Sequence, residues 1–513
     1  MGTNQTLTVK YNEAKGNYLS FNPSVSSSLF VKDSIIVPYK HQENPNIEFN
    51  RDPLLPFSMA NEGPDVAVAD VNNDGKEDVF FTGAKGQASQ LWVQQKEGTF
   101  LKQQETLFEE DALSEDVSQI FFDANNDGFK DLLIVSAGNE FETGPALSPR
   151  LYWNNKGFFT KDSVAFKNVY TNASKVVAVD VNNDHHMDVC ILSNAVPHKF
   201  GHTPKQYLFI NDGHGNFTNE TAKLAPDFAE IGNCNAIVWT DFNNDGYMDA
   251  VVAGNWMPIS VFINDGQKLL LQKGNGLDLT HGWWNTVKTA DFDHDGDIDI
   301  IAGNWGLNSR LNASESKPIT LYKKDFDNNG SEETVITYYY KGKETTLASK
   351  EELAKQMPFL NKKYLSYRDF AKASITDLFS EEKMKTALQK KVFELGSCYF
   401  ENLGNTTFKK HLLPFGAQVS TVNDIWVEDF NGDGHLDLLL VGNNFEISTQ
   451  LGRMDASHGT LLWNDGNGNF SEQRNEMIPI PGACRNIEKL MIAEVPYWVI
   501  ARNNETPIFI KKN

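Results

Sequence analysis

Asp291-Phe292-Asp293-His294-Asp295-Gly296-Asp297-Ile298-Asp299 decides how the chain is read. Side-chain oxygens stand at positions one, three, five and nine (Asp291, Asp293, Asp295, Asp299), and Gly296 is sixth. Four carboxylates packed into nine residues repel one another unless a cation sits among them. Alternate positions on a tight loop converge such oxygens on one point, and the hard cation that accepts a loose cage of oxygens is calcium. Gly296 permits the sharp turn, and Asp297 at position seven offers its backbone carbonyl.

The pattern recurs. Asp70-Asn72-Asp74-Gly75 with Asp78, Asp123-Asn125-Asp127-Gly128 with Asp131, Asp241-Asn243-Asp245-Gly246 with Asp249, and Asp429-Asn431-Asp433-Gly434 with Asp437 share its form. Asp180-Asn182-Asp184 with Asp188 keeps every oxygen but has His185 in the glycine position, where a Cβ resists the left-handed backbone. Asp325-Asp327-Asn329-Gly330 with Glu333 is a looser seventh copy. The position-seven carbonyls fall at Lys76, Phe129, His186, Tyr247, Ser331 and His435. A single Asn-Asp-Gly cluster is an ordinary turn between strands; seven copies that keep the ninth-position acid predict several structural calcium ions.

These loops are not EF-hands, which need a bidentate Glu at position twelve and a helix on each side. Position twelve is Phe81, Ile134, Ile191, Val252, Ala302, Ile336 and Leu440. All lie in β-rich runs such as Asp78-Val79-Phe80-Phe81, so each loop joins two strands.

From Asp70 to Asp291 the first-position aspartates stand about 50 to 60 residues apart. After five of the loops comes a strand with a signature like Leu-x-x-Asn-x-Gly, as in Leu208-Phe209-Ile210-Asn211-Asp212-Gly213 and Leu461-Leu462-Trp463-Asn464-Asp465-Gly466. A repeat of that length holding about four strands is a propeller blade. The expected fold is all-β: a seven-bladed propeller over residues 61–513, preceded by an opening segment 1–60 with short strands at Leu7–Tyr11 and Ser34–Val37. Its last blade, from Arg485 onward, lacks an oxygen loop. The loop at Asp325 is taken as an outer hairpin of the fifth blade; if it opens its own blade, the count is eight. Residues 346–395 read as a helical insertion, with helix starts at Ser349-x-x-Glu352 and Ser380 and one apolar helical face of Phe370, Ile375, Leu378 and Phe379.

The 513 residues carry a net charge of −22, much of it in the loops. No basic stripe exists to neutralise phosphates, which excludes nucleic acid as a partner. Cys190, Cys234, Cys398 and Cys484 form no Cys-x-x-Cys pair and are expected as free thiols, Cys190 buried. No stretch is apolar enough to span a bilayer. Weak calcium loops fill where calcium is millimolar, so an extracellular, cell-surface or periplasmic location is expected, with Met1-Gly2 replacing a natural leader.

These loops, the phrase His41-Gln42-Glu43-Asn44 with Leu54-Leu55-Pro56, and the Gly254-Asn255-Trp256 and Gly303-Asn304-Trp305 turns resemble the FG-GAP or VCBS repeat family, which includes integrin α-subunit propellers. Within it the chain is similar to bacterial proteins with ASPIC/UnbV repeats, related to cartilage acidic protein. The resemblance spans roughly residues 45–513. It implies a secreted or cell-surface propeller with structural calcium in an adhesion or binding role. His185, the Ser331-Glu332-Glu333 ending and the helical insertion depart from the pattern.

Two function classes follow. The first is a non-catalytic binding module for a glycan or an extracellular protein; Trp256, Trp283, Trp284 and Trp305 are its ligand candidates, since aromatics ringing one end of the channel would stack on sugars or anchor partners. Packing between blades is the alternative role for them. The second class is a polysaccharide lyase or hydrolase on the same scaffold, which needs two carboxylates with separated roles in one cleft. No Gly-x-Ser-x-Gly, Walker or His-Glu-x-x-His motif is present, and His198 and His202 sit in a Pro/Gly-broken loop. Acidic and basic side chains lining the channel favour an enzyme; a channel floored by Trp and Asn favours binding.

Overall fold

The computed structural model describes residues 29–33, 36–472 and 480–513. Its β-strands form eight antiparallel sheets, seven of four strands and one with a short fifth strand, Gly282–Trp283. In seven of these sheets one edge strand lies innermost: Val66–Ala69, Glu115–Phe122, Asn172–Val179, Asn233–Thr240, Thr286–Ala290, Val422–Glu428 and Cys484–Ile492. Each touches the next in that order, and the last touches the first, so the seven sheets close a cycle. The fold is a β-propeller. We number these sheets one to seven.

Apolar burial follows the same cycle, with one hydrophobic cluster between each pair of neighbours. This explains the unbroken apolar runs of the second strands. Asp131–Ala137 is buried at every residue because both of its faces are covered, so no alternation survives. The chain's two ends share sheet seven: Phe30–Lys32 pairs antiparallel with Ile508–Lys512, which sews the cycle shut. The first expected strand, Leu7–Tyr11, lies outside the described residues, as do Ser34 and Ile35 of the second. Among the described residues of this segment a strand forms at Phe30–Lys32, where Phe30 fills the cluster between sheets six and seven.

The loop at Asp325 is not an outer hairpin of sheet five. It joins Ile319–Lys324 to Glu333–Tyr340 in an eighth sheet, completed by Lys343–Thr346 and Leu388–Val392. This sheet and five short helices between Lys350 and Thr386 are inserted after the second strand of sheet five, Asp299–Gly303; its outer strands are Cys398–Asn402 and Phe408–Leu412. Ser349 and Glu352 form both bonds of the capping box, and the Ser380 hydroxyl caps Glu381–Thr386. The proposed single face of Phe370, Ile375, Leu378 and Phe379 is broken, because Ser366 and Ser374 cap new helices at Tyr367 and Ile375. Ile375, Leu378 and Phe379 still bury against Phe326 and Val335 of the inserted sheet. All four cysteines are free and buried, and no described helix is long and apolar enough to cross a membrane.

Candidate metal centres and the central channel

All seven oxygen loops close the same way. The first-position carboxylate accepts the sixth-position N–H at 2.8 to 3.1 Å, and the fifth-position side chain accepts the seventh N–H at 2.7 to 2.9 Å. His185 does not disturb this. It adopts φ of +69°, and its N–H reaches Asp180 at 2.8 Å as the glycines do. The local hydrogen bonds therefore outweigh the modest cost of a Cβ in the left-handed region.

The ninth-position acid is buried and fixed from two sides. One oxygen accepts the second-position N–H at 2.8 to 3.1 Å. In the six cycle loops its other oxygen accepts an N–H from the third strand at 2.7 to 3.0 Å. Burial, reinforced by the first- and fifth-position carboxylates, pushes Asp78, Asp131, Asp188 and Asp249 up to about 6, against the pull of those N–H donors. Asp299 rises to about 7, again chiefly from burial. Groups so raised are ones that a cation would hold ionised.

The donor chemistry fits a hard cation. Asp291, Asp293 and Asp299 bring carboxylate oxygens within 4.8 Å of one another, and so do Asp325, Asp327 and Glu333. In the first of these, Asp291 Oδ1 is buried with no hydrogen-bond partner among the described residues. Such an orphaned anionic oxygen is costly unless something positive meets it.

The signature asparagine, which the sequence marks without explaining, clasps neighbouring sheets. Its backbone N–H holds the ninth-position acid, while its Nδ2 reaches back to the preceding sheet's loop: Asn154 to the Val71 carbonyl at 2.8 Å, Asn211 to Ala124 at 2.9 Å, Asn264 to Val181 at 2.8 Å and Asn464 to Phe292 at 2.7 Å. Gln94 does the same across the chain's closure, donating to Met491 at 2.9 Å. The fourth-position residue reaches forward. Asn73 donates to Gly128, and His294 Nε2 lies 2.8 Å from His435 Nδ1 of the next loop, directed away from its own. The glycine of the signature leaves room for the seventh-position ring; a Cβ at Gly213 would stand 2.5 Å from the His186 imidazole.

The four tryptophans do not ring the channel; all are at most 5% exposed. Trp283 packs edge-on against Trp256, Trp305 and Phe57 at 5.1 to 5.5 Å, in the cluster that seats the inserted sheet on the cycle. Trp284 fills the space between sheets four and five. Their role is packing.

The channel is lined instead by the starts of the inner strands, at the end away from the oxygen loops, and encloses about 360 Å³. Five inner strands carry one extra residue against their partners there: Val117, Ser174, Asn235, Asn423 and Arg485. A bulge of this kind re-aims a side chain, and all five line the channel. With Asn285 they form a collar. Ser174 Oγ donates to Cys234, Asn235 to Trp284, Asn285 to Val422, Asn423 to Cys484 and Arg485 to Asn61, at 2.6 to 3.2 Å. Beside the collar Lys175 pairs with Asp65 at 3.2 Å and Lys288 with Asp424 at 3.0 Å. Both asparagines and acid–base pairs are thus present. The only sequence signal for the pairs is a lone charge in an otherwise apolar first strand, such as Lys175 in Ser174-Lys175-Val176-Val177.

The FG-GAP-like repeat family matches residues 70–134, 123–191, 201–252 and 241–302. The chain carries FG-GAP-like repeats. These matches start at or span five of the six cycle loops, leaving the one at Asp429 outside. A search of curated proteins returned no match. Among solved structures, a lectin from Agrocybe aegerita, described as recognising non-reducing terminal N-acetylglucosamine, is 15% identical over 82% of this chain and 83% of its own, with a TM-score of 0.42. The V. cholerae biofilm matrix protein is 10% identical over 94% and 91%, with a TM-score of 0.36. YCF48 from Cyanidioschyzon merolae is 9% identical over 90% and 97%, with a TM-score of 0.41.

Proposed function

We propose that this protein is a calcium-stabilised β-propeller that acts as a non-catalytic binding or adhesion module for a glycan or a protein, in an extracellular, cell-surface or periplasmic setting. The observation that carries the reading is the orphaned Asp291 Oδ1 at the centre of a loop geometry repeated seven times. Calcium would be held by the oxygens at positions one, three, five and nine and by the seventh carbonyl, and would supply the positive charge that the loops lack. Hairpin loops of this kind fill at millimolar calcium, which supports the location. Within the FG-GAP-like proteins we group the chain with those carrying ASPIC/UnbV repeats, on the turns at Gly254-Asn255-Trp256 and Gly303-Asn304-Trp305.

A second reading, a polysaccharide-active enzyme, is favoured by the acid–base pairs of the channel. One experiment separates the two. A glycan array and a polysaccharide-degradation screen are run on the same protein, in calcium and in EDTA. Calcium-dependent retention without cleavage products supports the binding module; chain shortening supports the enzyme.

A further inference from the structure

Within the binding-module reading, we propose that the central channel is the ligand site, and that it takes a neutral sugar residue beside Glu488. Phe57, Asn61 and Glu62 close the end of the channel at which the inner strands begin: Phe57 pairs with Ile447 of the connection in sheet six, Arg485 of sheet seven donates to Asn61, and Glu62 accepts from Asn194 of sheet three. The cavity above them is of the size that small-molecule sites have.

Its charges choose the ligand. Asp65 and Asp424 are met by Lys175 and Lys288. Glu488 lies in the field of both lysines and both aspartates, yet its carboxylate takes part in no hydrogen bond or ion pair among the described residues. The two lysines are deep in the protein but keep 35% of their side-chain surface accessible, because they face the cavity. A bare cation would meet two ammonium groups there, and a bare anion would meet the carboxylates. A hydroxyl donates to Glu488 and accepts from a lysine at once. Adjacent hydroxyls on a sugar ring present that pairing repeatedly. Burial pushes the Glu488 carboxyl up to about 7, which fits a group awaiting a donor.

The test uses the full chain in excess calcium and saturation-transfer NMR with calorimetry. The probes are D-glucose, D-galactose, D-mannose, L-rhamnose, N-acetylglucosamine and D-glucuronate. At least one neutral sugar is expected to bind. Glu488→Gln removes a charge that no hydrogen bond or ion pair among the described residues uses, and should weaken that binding about tenfold or more, with a melting temperature at pH 5 equal to the parent's. Val177→Phe, which narrows the bore at another point, should weaken it as well. A sugar bound equally by the parent and both variants overturns the channel as the site while leaving the binding module standing. Binding of no probe, with hits on the glycan array, overturns the single-sugar channel site alone. Binding of nothing in either format overturns it together with the glycan reading.

Discussion

The two ends of the cycle handle charge in opposite ways. At the loop end, acids are gathered with almost no bases; among the described residues, of the first-, third- and fifth-position carboxylates only Asp74 pairs with a lysine, Lys76 at 2.9 Å, and that pair is exposed. At the channel end each buried aspartate has its own ammonium group within about one hydrogen-bond length. The first arrangement leaves its acids almost without counter-charges among the described residues, and the second pairs its aspartates within the chain. The difference teaches that repeated, unpaired acids are where a counter-charge from outside the chain would act, whereas the paired aspartates are neutralised by the chain's own lysines.

The strongest way to break that contrast is to remove calcium. At free calcium about 100 times Kd, each filled site stabilises the native state by about 2.7 kcal/mol. Several such sites lost together should lower the melting temperature in EDTA by well over 10 °C, with recovery on adding calcium back. Scanning calorimetry decides, and an unchanged transition reduces the loops to ordinary turns. The EDTA form should also show a characteristic pH dependence. Asp78, Asp131, Asp188 and Asp249 have folded values raised to about 6, above the unfolded carboxylate range, so the native state binds more protons than the unfolded chain. Stability of the metal-free protein then falls as pH rises from about 4 through 6, and calcium should abolish that fall.

Next in size is a single loop. Asp295→Ala removes a fifth-position oxygen and the acceptor for the Asp297 N–H, and should cost about 2 to 3 kcal/mol in calcium and one ion in the stoichiometry. His294→Ala removes only the contact to His435, and should cost less than about 1 kcal/mol. Equal losses would sink the ligand assignment. Asn464→Ala tests the clasp without touching the metal: losing the 2.7 Å bond to Phe292 leaves a buried carbonyl short of a donor, at a cost of about 1 to 3 kcal/mol with calcium stoichiometry intact.

These differences also set what the amino-acid order made legible. Each oxygen loop is written in nine consecutive residues, so its hairpin could be read directly, even at His185 where the glycine is missing. The clasp was visible only as a recurring Asn-x-Gly, because its partner lies one sheet away, about 83 residues for Asn154 and Val71. The collar was not legible at all. Bulges at Ser174, Asn235 and Arg485 depend on how two strands slip against each other, and nothing in Ala173-Ser174-Lys175 announces the slip. The tryptophans misled for a related reason: a Gly-Asn-Trp turn fixes where the ring starts, but the inserted sheet, contributed by distant residues, decides that it is covered. Sheet five hid its own completion by placing Cys398–Asn402 far beyond Asp299, though Asn402 N–H still finds the Asp299 carboxylate at 2.8 Å.

The smallest effect, and the finest probe of the contrast, is Glu488→Gln. Glu488 is the one channel acid with neither a lysine partner nor a hydrogen bond among the described residues, and burial lifts it to about 7. Its folded value exceeds its unfolded one, so ionising it costs stability as pH rises from about 4.5 through 7. The glutamine variant cannot ionise. It should match the parent protein at pH 5, melt slightly higher at pH 8, and bind the same number of calcium ions at both. If it melted lower at pH 8, Glu488 would be supporting the channel through an ion pair after all, and the channel end would lose its unpaired carboxylate.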